Sequence, residues 1–150
     1  MTLYDLAQRY IGLREFAGNA DNPFIRWCHM SCTIGEAPDS VPWCSSFLNR
    51  LAWELRLPRS KSAAARSWLL VGVPVALHDA HAGFDVVVLK RGGGGQPGPE
   101  RIDAPGHVGL FAGLEHENVL VLGGNQSDAV NISVYPQDRI LGIRRLMGSE

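Results

Sequence analysis

Val41-Pro42-Trp43-Cys44-Ser45-Ser46-Phe47-Leu48-Asn49-Arg50-Leu51-Ala52-Trp53-Glu54-Leu55 is the stretch whose pattern decides how the rest of the chain is read. Phe47, Leu48, Leu51, Ala52 and Leu55 recur at the three-and-four spacing of one helical face, with Asn49, Arg50 and Glu54 elsewhere, so the segment reads as an amphipathic helix. A proline is at home in a first helical turn, where its missing N–H is no loss. Pro42 therefore marks the start, with Asp39 or Ser40 as candidate caps. Cys44 then sits at the positive end of the helix dipole, which favours the thiolate, the nucleophilic form of cysteine. The competing reading is a small buried hydrophobe.

Upstream, Thr2 and Asp5 have the spacing of a capping box, and Leu3, Leu6, Ala7, Tyr10 and Ile11 share a face, so a first helix is expected over about 3–11, ended by Gly12. Asp21-Asn22-Pro23 supplies a cap and a proline for a second short helix carrying Phe24, Ile25, Trp27 and Cys28. Downstream, Ser60 or Ser62 caps a helix through 63–69 that stops near Gly72. The period then changes. Asp85–Leu89, His107–Phe111, Asn118–Leu122, Asn131–Tyr135 and Ile140–Arg144 are short, rich in apolar and β-branched residues, and bounded by turn formers. Five strands without room for crossover helices pair antiparallel. Helices first and strands afterward predict a single α+β domain over 1–150. The run Arg91–Pro99 interrupts two strands. It lacks the lysine–hydroxyl ending of a phosphate cradle, and its two prolines remove amides, so a surface loop is expected.

Composition narrows the partners. With 14 basic and 15 acidic side chains the formal charge is −1, which carries no overall footprint for nucleic acid or anionic lipid. No run of eighteen apolar residues occurs, so no membrane insertion is expected. Three cysteines, Cys28, Cys32 and Cys44, are too few for a disulfide scaffold, and at least one thiol stays free. Cys28-His29 with Cys32 invites a metal reading, but no second pair at finger-like spacing follows, so core packing is expected, with no metal and no cofactor.

A cysteine nucleophile needs an imidazole nearby. Of five histidines, His29 lies on the second helix, His78 and His81 in a turn-rich segment, and His116 in a hairpin turn. Only His107 begins a strand, where a ring is held rigidly. A third polar group is expected to fix its tautomer, and Asn125, after Gly123 and Gly124 in the next strand, returns toward the His107 end. Gln126 and Asp128 compete for that role.

Helix-borne Cys44, strand-borne His107 and then Asn125 resemble, in order, the papain-fold peptidoglycan hydrolases of the CHAP and NlpC type. The resemblance extends through Gly12…Glu15…Gly18…Asn22-Pro23…Ile25, Pro42-Trp43-Cys44-Ser45-Ser46-Phe47…Asn49, Ala65-Arg66-Ser67-Trp68-Leu69, Asp85-Val86-Val87, Gly106-His107-Val108-Gly109 and Leu122-Gly123-Gly124-Asn125-Gln126-Ser127. These blocks look like those of a phage- and prophage-associated branch and cover nearly the whole chain. The resemblance implies a papain-like fold with N-terminal helices packed on a C-terminal antiparallel sheet of about five strands. It also implies hydrolysis of an amide in bacterial peptidoglycan by Cys44 and His107, and a monomer acting without cofactor. Trp43 and Gln126 are expected to contact substrate. Many CHAP domains carry a glutamate two residues before the asparagine. Here that position is Gly123, so Asn125 orients His107 alone or another group helps.

The bond is left open between an N-acetylmuramoyl-L-alanine amidase and an endopeptidase cut. Because Met1–Asp5 does not open a leader-like pattern, the expectation is cytoplasmic synthesis and action in the periplasm or wall after delivery. That fits a phage endolysin released through a holin, or an antibacterial toxin carried by a secretion system or a phage tail. The rivals are a non-catalytic wall-binding protein of the same fold and an acyl transferase to amines.

Overall fold

The structure is a computed structural model that describes residues 1–17, 20–35, 37–92 and 95–146. Helix α1 (Leu3–Gln8) opens with the expected capping box: the Thr2 hydroxyl accepts from the Asp5 amide, and the Asp5 carboxylate accepts from the Thr2 amide. It ends before the predicted Ile11, with turns leading to Gly12 at φ +101°. Helix α2 (Pro23–His29) has Asn22 as its cap, and the Asn22 side chain accepts from Phe24 N–H. Helix α3 (Cys44–Glu54) starts at Cys44 itself, with Trp43 as its cap residue.

One expectation for α3 is corrected. Neither Asp39 nor Ser40 caps it. The Asp39 carboxylate instead accepts from the Phe16 and Asn22 amides and ties the 14–22 segment to the loop before α3. The polar side of α3 is covered as well, with Ser45, Ser46, Asn49 and Arg50 all buried. Asn49 spends its amide on the neighbouring loop, accepting from Lys61 N–H and donating to Ser60 Oγ and the Ser62 carbonyl. The Arg50 guanidinium lies over the rings of Trp27 and Trp53 and pairs with Glu54. Polar residues with saturated partners can be enclosed at little cost, which periodicity alone does not reveal. The predicted fourth helix is a 3₁₀ segment, Ala65–Leu70, with the Ser62 hydroxyl accepting from Ala64 N–H before it.

The sheet has six strands: β1 (Val73–Pro74), β2 (Asp85–Lys90), β3 (Gly106–Glu115), β4 (Asn118–Gln126), β5 (Ala129–Pro136) and β6 (Ile140–Arg145), in the order β1-β6-β2-β3-β4-β5. Every pairing is antiparallel. The protein is thus α+β, as its order of patterns predicts. The five long strands fall on the expected segments. β1 was not anticipated, because two exposed residues paired to Arg144 and Arg145 leave no alternation to read.

Cross-strand partners share a face, and alternate residues face opposite ways. Val86, Val88, Val108, Leu110 and Leu122 meet α1, α2 and α3 in the larger core. Val87, Leu89, Phe111, Val119, Val121 and Ile143 form a second core on the other face. His107 pairs with Leu89 and so belongs to that second face, at the start of β3. Gly93 and Gly94 of the expected surface loop lie outside the described residues, as does Gly18.

Candidate active site

The N-terminus of α3 abuts the sheet where β3 begins and β4 ends. What lets it come so close is Gly124: a Cβ there would stand 2.5 Å from the Trp43 ring. Trp43 is fully buried, packs edge-on to Phe47 and donates its indole N–H to the Glu15 carboxylate at 2.9 Å. This corrects the expectation that Trp43 contacts substrate. A ring with no exposed surface locks the helix start in place instead, and Glu15 holds the ring.

Cys44 is 2% exposed and lines a cavity of about 260 Å³ together with Pro42, Ala63–Ala65, Arg91 and Asp103–Gly106. His107 stands beside its sulfur. Burial pushes the thiol up. The hydrogen bond and charge of His107, a backbone hydrogen bond from Val108 and the charge of Arg91 outweigh burial and hold the thiol below its ordinary value. For His107 burial pulls the other way, yet the hydrogen bond and charge of Cys44 and the hydrogen bond to Gln126 raise the ring above its ordinary value. Each group favours the charged form of the other.

The other ring nitrogen meets Gln126, not Asn125. His107 Nε2 lies 2.9 Å from Gln126 Oε1. The amide's orientation is set by its far end, where Nε2 donates to the Val121 and Asn131 carbonyls and to Asn131 Oδ1. Oε1 therefore faces the ring and also accepts from the Tyr135 hydroxyl at 3.1 Å. An acceptor at Nε2 fixes the proton there and leaves Nδ1 for the sulfur. Burial pushes the Tyr135 hydroxyl up to about 12, so it remains a donor across neutral pH.

A β-bulge explains why Gln126 replaces Asn125. Gly123 pairs with Asn131, but Gln126 pairs with Ala129, so three steps on β4 oppose two on β5. In a regular strand Asn125 would share the face of Gly123, Val121 and His107. The extra residue, with Asn125 at φ +57°, moves Gln126 onto that face. Gly123 leaves room for it, since a Cβ there would stand 3.0 Å from Gln126 Oε1. Asn125 makes no side-chain hydrogen bond among the described residues. Gln126 is 4% exposed with its amide engaged on every side, so the expectation that it binds substrate is corrected as well.

The start of α3 has no side-chain cap, and no acceptor among the described residues takes the amides of Cys44, Ser45 or Ser46. These unpaired donors sit beside the sulfur, where they can stabilise a developing oxyanion.

Arg66, given no duty by the sequence, is buried and clamps the cavity wall. Its Nε donates to the Pro105 carbonyl and its Nη1 to the carbonyls of Pro97, Gly98 and Arg101. Asn131 and Tyr135 were also missed. Their signal was present in the inverted alternation of β5, where Asn131, Ser133 and Tyr135 share the inner face while Ile132 and Val134 are exposed.

The other histidines lie elsewhere in chain and fold. His29 is buried on α2 with Nδ1 2.7 Å from Ser46 Oγ. His78 and His81 flank the turn before β2, and His116 makes the β3–β4 turn. Cys28 and Cys32 are free thiols packed in the interior. Among the described residues no group of three or more His, Cys, Asp or Glu side chains is placed to hold a metal ion, and no helix is long and apolar enough to cross a membrane.

No protein-family model matches the sequence, and comparison with curated proteins finds no match. Among solved structures, the chain is similar to NlpC1 from Trichomonas vaginalis, with a TM-score of 0.47 and 14% identity over 95% of this chain. The match spans 42% of that structure's chain, less than half its length.

Proposed function

We propose that the chain is a cysteine hydrolase of amide bonds in bacterial peptidoglycan, with Cys44 as nucleophile, His107 as acid and base, and Gln126 as the residue that positions His107. The observation that carries the chemistry is the Cys44–His107–Gln126 relay at the edge of an open cavity. The wall as substrate rests on the blocks of sequence that resemble CHAP and NlpC hydrolases.

The Cys44 thiolate attacks the amide carbonyl and forms the C–S bond. The amides at the start of α3 receive the oxyanion. Imidazolium His107 gives its proton to the departing amine as the C–N bond breaks. Neutral His107 then takes a proton from water, the hydroxide adds to the thioester, and the C–S bond breaks to regenerate the thiolate. Gln126 stays hydrogen-bonded to Nε2 throughout, so the imidazolium formed in each cycle keeps its orientation.

The finer assignment, a phage endolysin or a delivered antibacterial toxin, belongs to the same proposal. Mass spectrometry of muropeptides released from purified sacculi tests the reading and names the bond. Wild type is expected to release defined fragments, and C44A, folded by circular dichroism, at least about a thousandfold less. Equal release by C44A overturns the assignment.

A further inference from the structure

The four tryptophans fall into two pairs. Trp43 and Trp68 are fully buried, whereas Trp27 on α2 and Trp53 on α3 stand 41% and 50% exposed. The Arg50 guanidinium lies over both exposed rings, 3.0 and 4.3 Å from their centroids, and joins them into one face. Two open grooves of about 340 and 560 Å³ meet there and share Arg50, Trp53 and Arg59; exposed Met30 edges the first, and Leu57 lines the second.

The charges of this face do not cancel. Asp21 pairs with Arg26, and Glu54 with Arg50. Arg56 and Arg59 remain in excess, in the wall of one groove. Arg56 is exposed and has no acceptor among the described residues. Arg59 is tethered through Nη1 to the Ser31 carbonyl at 2.6 Å, which leaves its other N–H groups for a ligand. The chain as a whole carries −1, so an anionic surface is attracted only by a local excess such as this one. Indoles settle where lipid headgroups meet acyl chains, and guanidiniums on long stems reach phosphates from there. Charge alone would suit an acidic protein equally. The indoles and the Met30 thioether beside the arginines give each layer of a bilayer boundary its own partner.

We propose that the α2–α3 face is a peripheral docking surface for an anionic phospholipid bilayer. Arg56 and Arg59 take headgroup phosphates, and Trp27, Met30 and Trp53 lie at the boundary between headgroups and acyl chains. Trp53 stands nine residues along α3 from Cys44, about 13 Å at the helical rise. The residues lining the Cys44 cavity are all different, so the docking face and the cavity are separate. The inference does not depend on the hydrolase reading.

The test is sedimentation of the full chain with vesicles of phosphatidylcholine alone or of equal parts phosphatidylcholine and phosphatidylglycerol. It is read together with quenching of tryptophan fluorescence by brominated phosphatidylcholine, which reports Trp27 and Trp53 because Trp43 and Trp68 are buried. Partition onto the anionic vesicles is expected to be about tenfold or more stronger, and to weaken with salt. R56E is expected to lower it at least about threefold, and R56E/R59E to bring it to the level of the neutral vesicles, with the fold checked by circular dichroism. R56E, at an exposed position, decides the matter if the double variant does not fold. Equal partition onto both vesicles, or none, overturns the inference. So does partition unchanged in R56E, or partition without quenching, which puts another face on the bilayer. Binding to poly-L-glutamate without partition onto vesicles also overturns it and points to an acidic protein partner instead.

Discussion

Gln126 accepts from His107 Nε2 at the end of β4, and its part is separable by experiment from that of its neighbour Asn125. Q126L removes the acceptor at His107 Nε2 and leaves the Asn131 network half-filled. It is expected to lower kcat/KM about 10–100-fold, as loss of an orienting partner does for other ligating or catalytic histidines. Because the Gln126 hydrogen bond raises the His107 ring, its loss moves the alkaline limb of the pH–rate profile to lower pH. N125G, which suits the positive φ at that position, is expected to stay within about threefold of wild type, the scale of an ordinary surface change. The same physics gives wild type a bell. Activity rises as the thiol ionises below its ordinary value, and falls as imidazolium, held above its ordinary value, loses its proton. Moving those two limbs apart broadens the plateau between them, measurable as kcat/KM against pH. The placement of Cys44 at a helix start and of His107 at a strand start was legible, while pairing them rested on the resemblance of the whole set of blocks. Gln126 was not legible, because a one-residue bulge reverses every later assignment of face and leaves no mark in composition.

At the scale of elements, helix α3 meets strand β4 where Trp43 lies on Gly124. G124A puts a methyl group into the indole, and the expected cost is about 1–3 kcal/mol of stability, the usual range for overpacking. Activity falls further than stability predicts, since displacing Trp43 displaces Cys44. Urea unfolding and turnover measured on the same sample check both halves. Helices α1 and α2 were legible because their apolar spacing and caps are local, and α3 because of its apolar spacing alone. The covered polar side of α3 was not. Asn49 and Arg50 read only as lying off the apolar face, because their partners, the 60–62 loop and the Trp27 ring, are brought to them by tertiary packing.

At the scale of the whole molecule, long-range ties define the cavity. Arg66 sits on the 3₁₀ segment before the sheet and holds four carbonyls between Pro97 and Pro105. R66M keeps most of the side-chain bulk while deleting those bonds. Its expected signature is a raised KM, with stability lowered by about 2–4 kcal/mol as the hydrogen bonds of a buried guanidinium are lost. Thermal unfolding and KM for muropeptides measure the two effects. The α+β architecture was legible from the switch of period after Gly72. The cavity was not, because its walls come from the start of α3, the alanine run and the β2–β3 connection, which no local pattern joins.

The pairing of sulfur and imidazole is tested most directly by the rate of Cys44 alkylation as a function of pH, with the modified residue located by peptide mass spectrometry. Wild type is expected to react on a plateau that begins below the ordinary thiol range. In H107A the profile is expected to return upward to that of a buried, unassisted thiol. A wild-type Cys44 that titrates like a free cysteine, or one whose profile H107A leaves in place, contradicts the account.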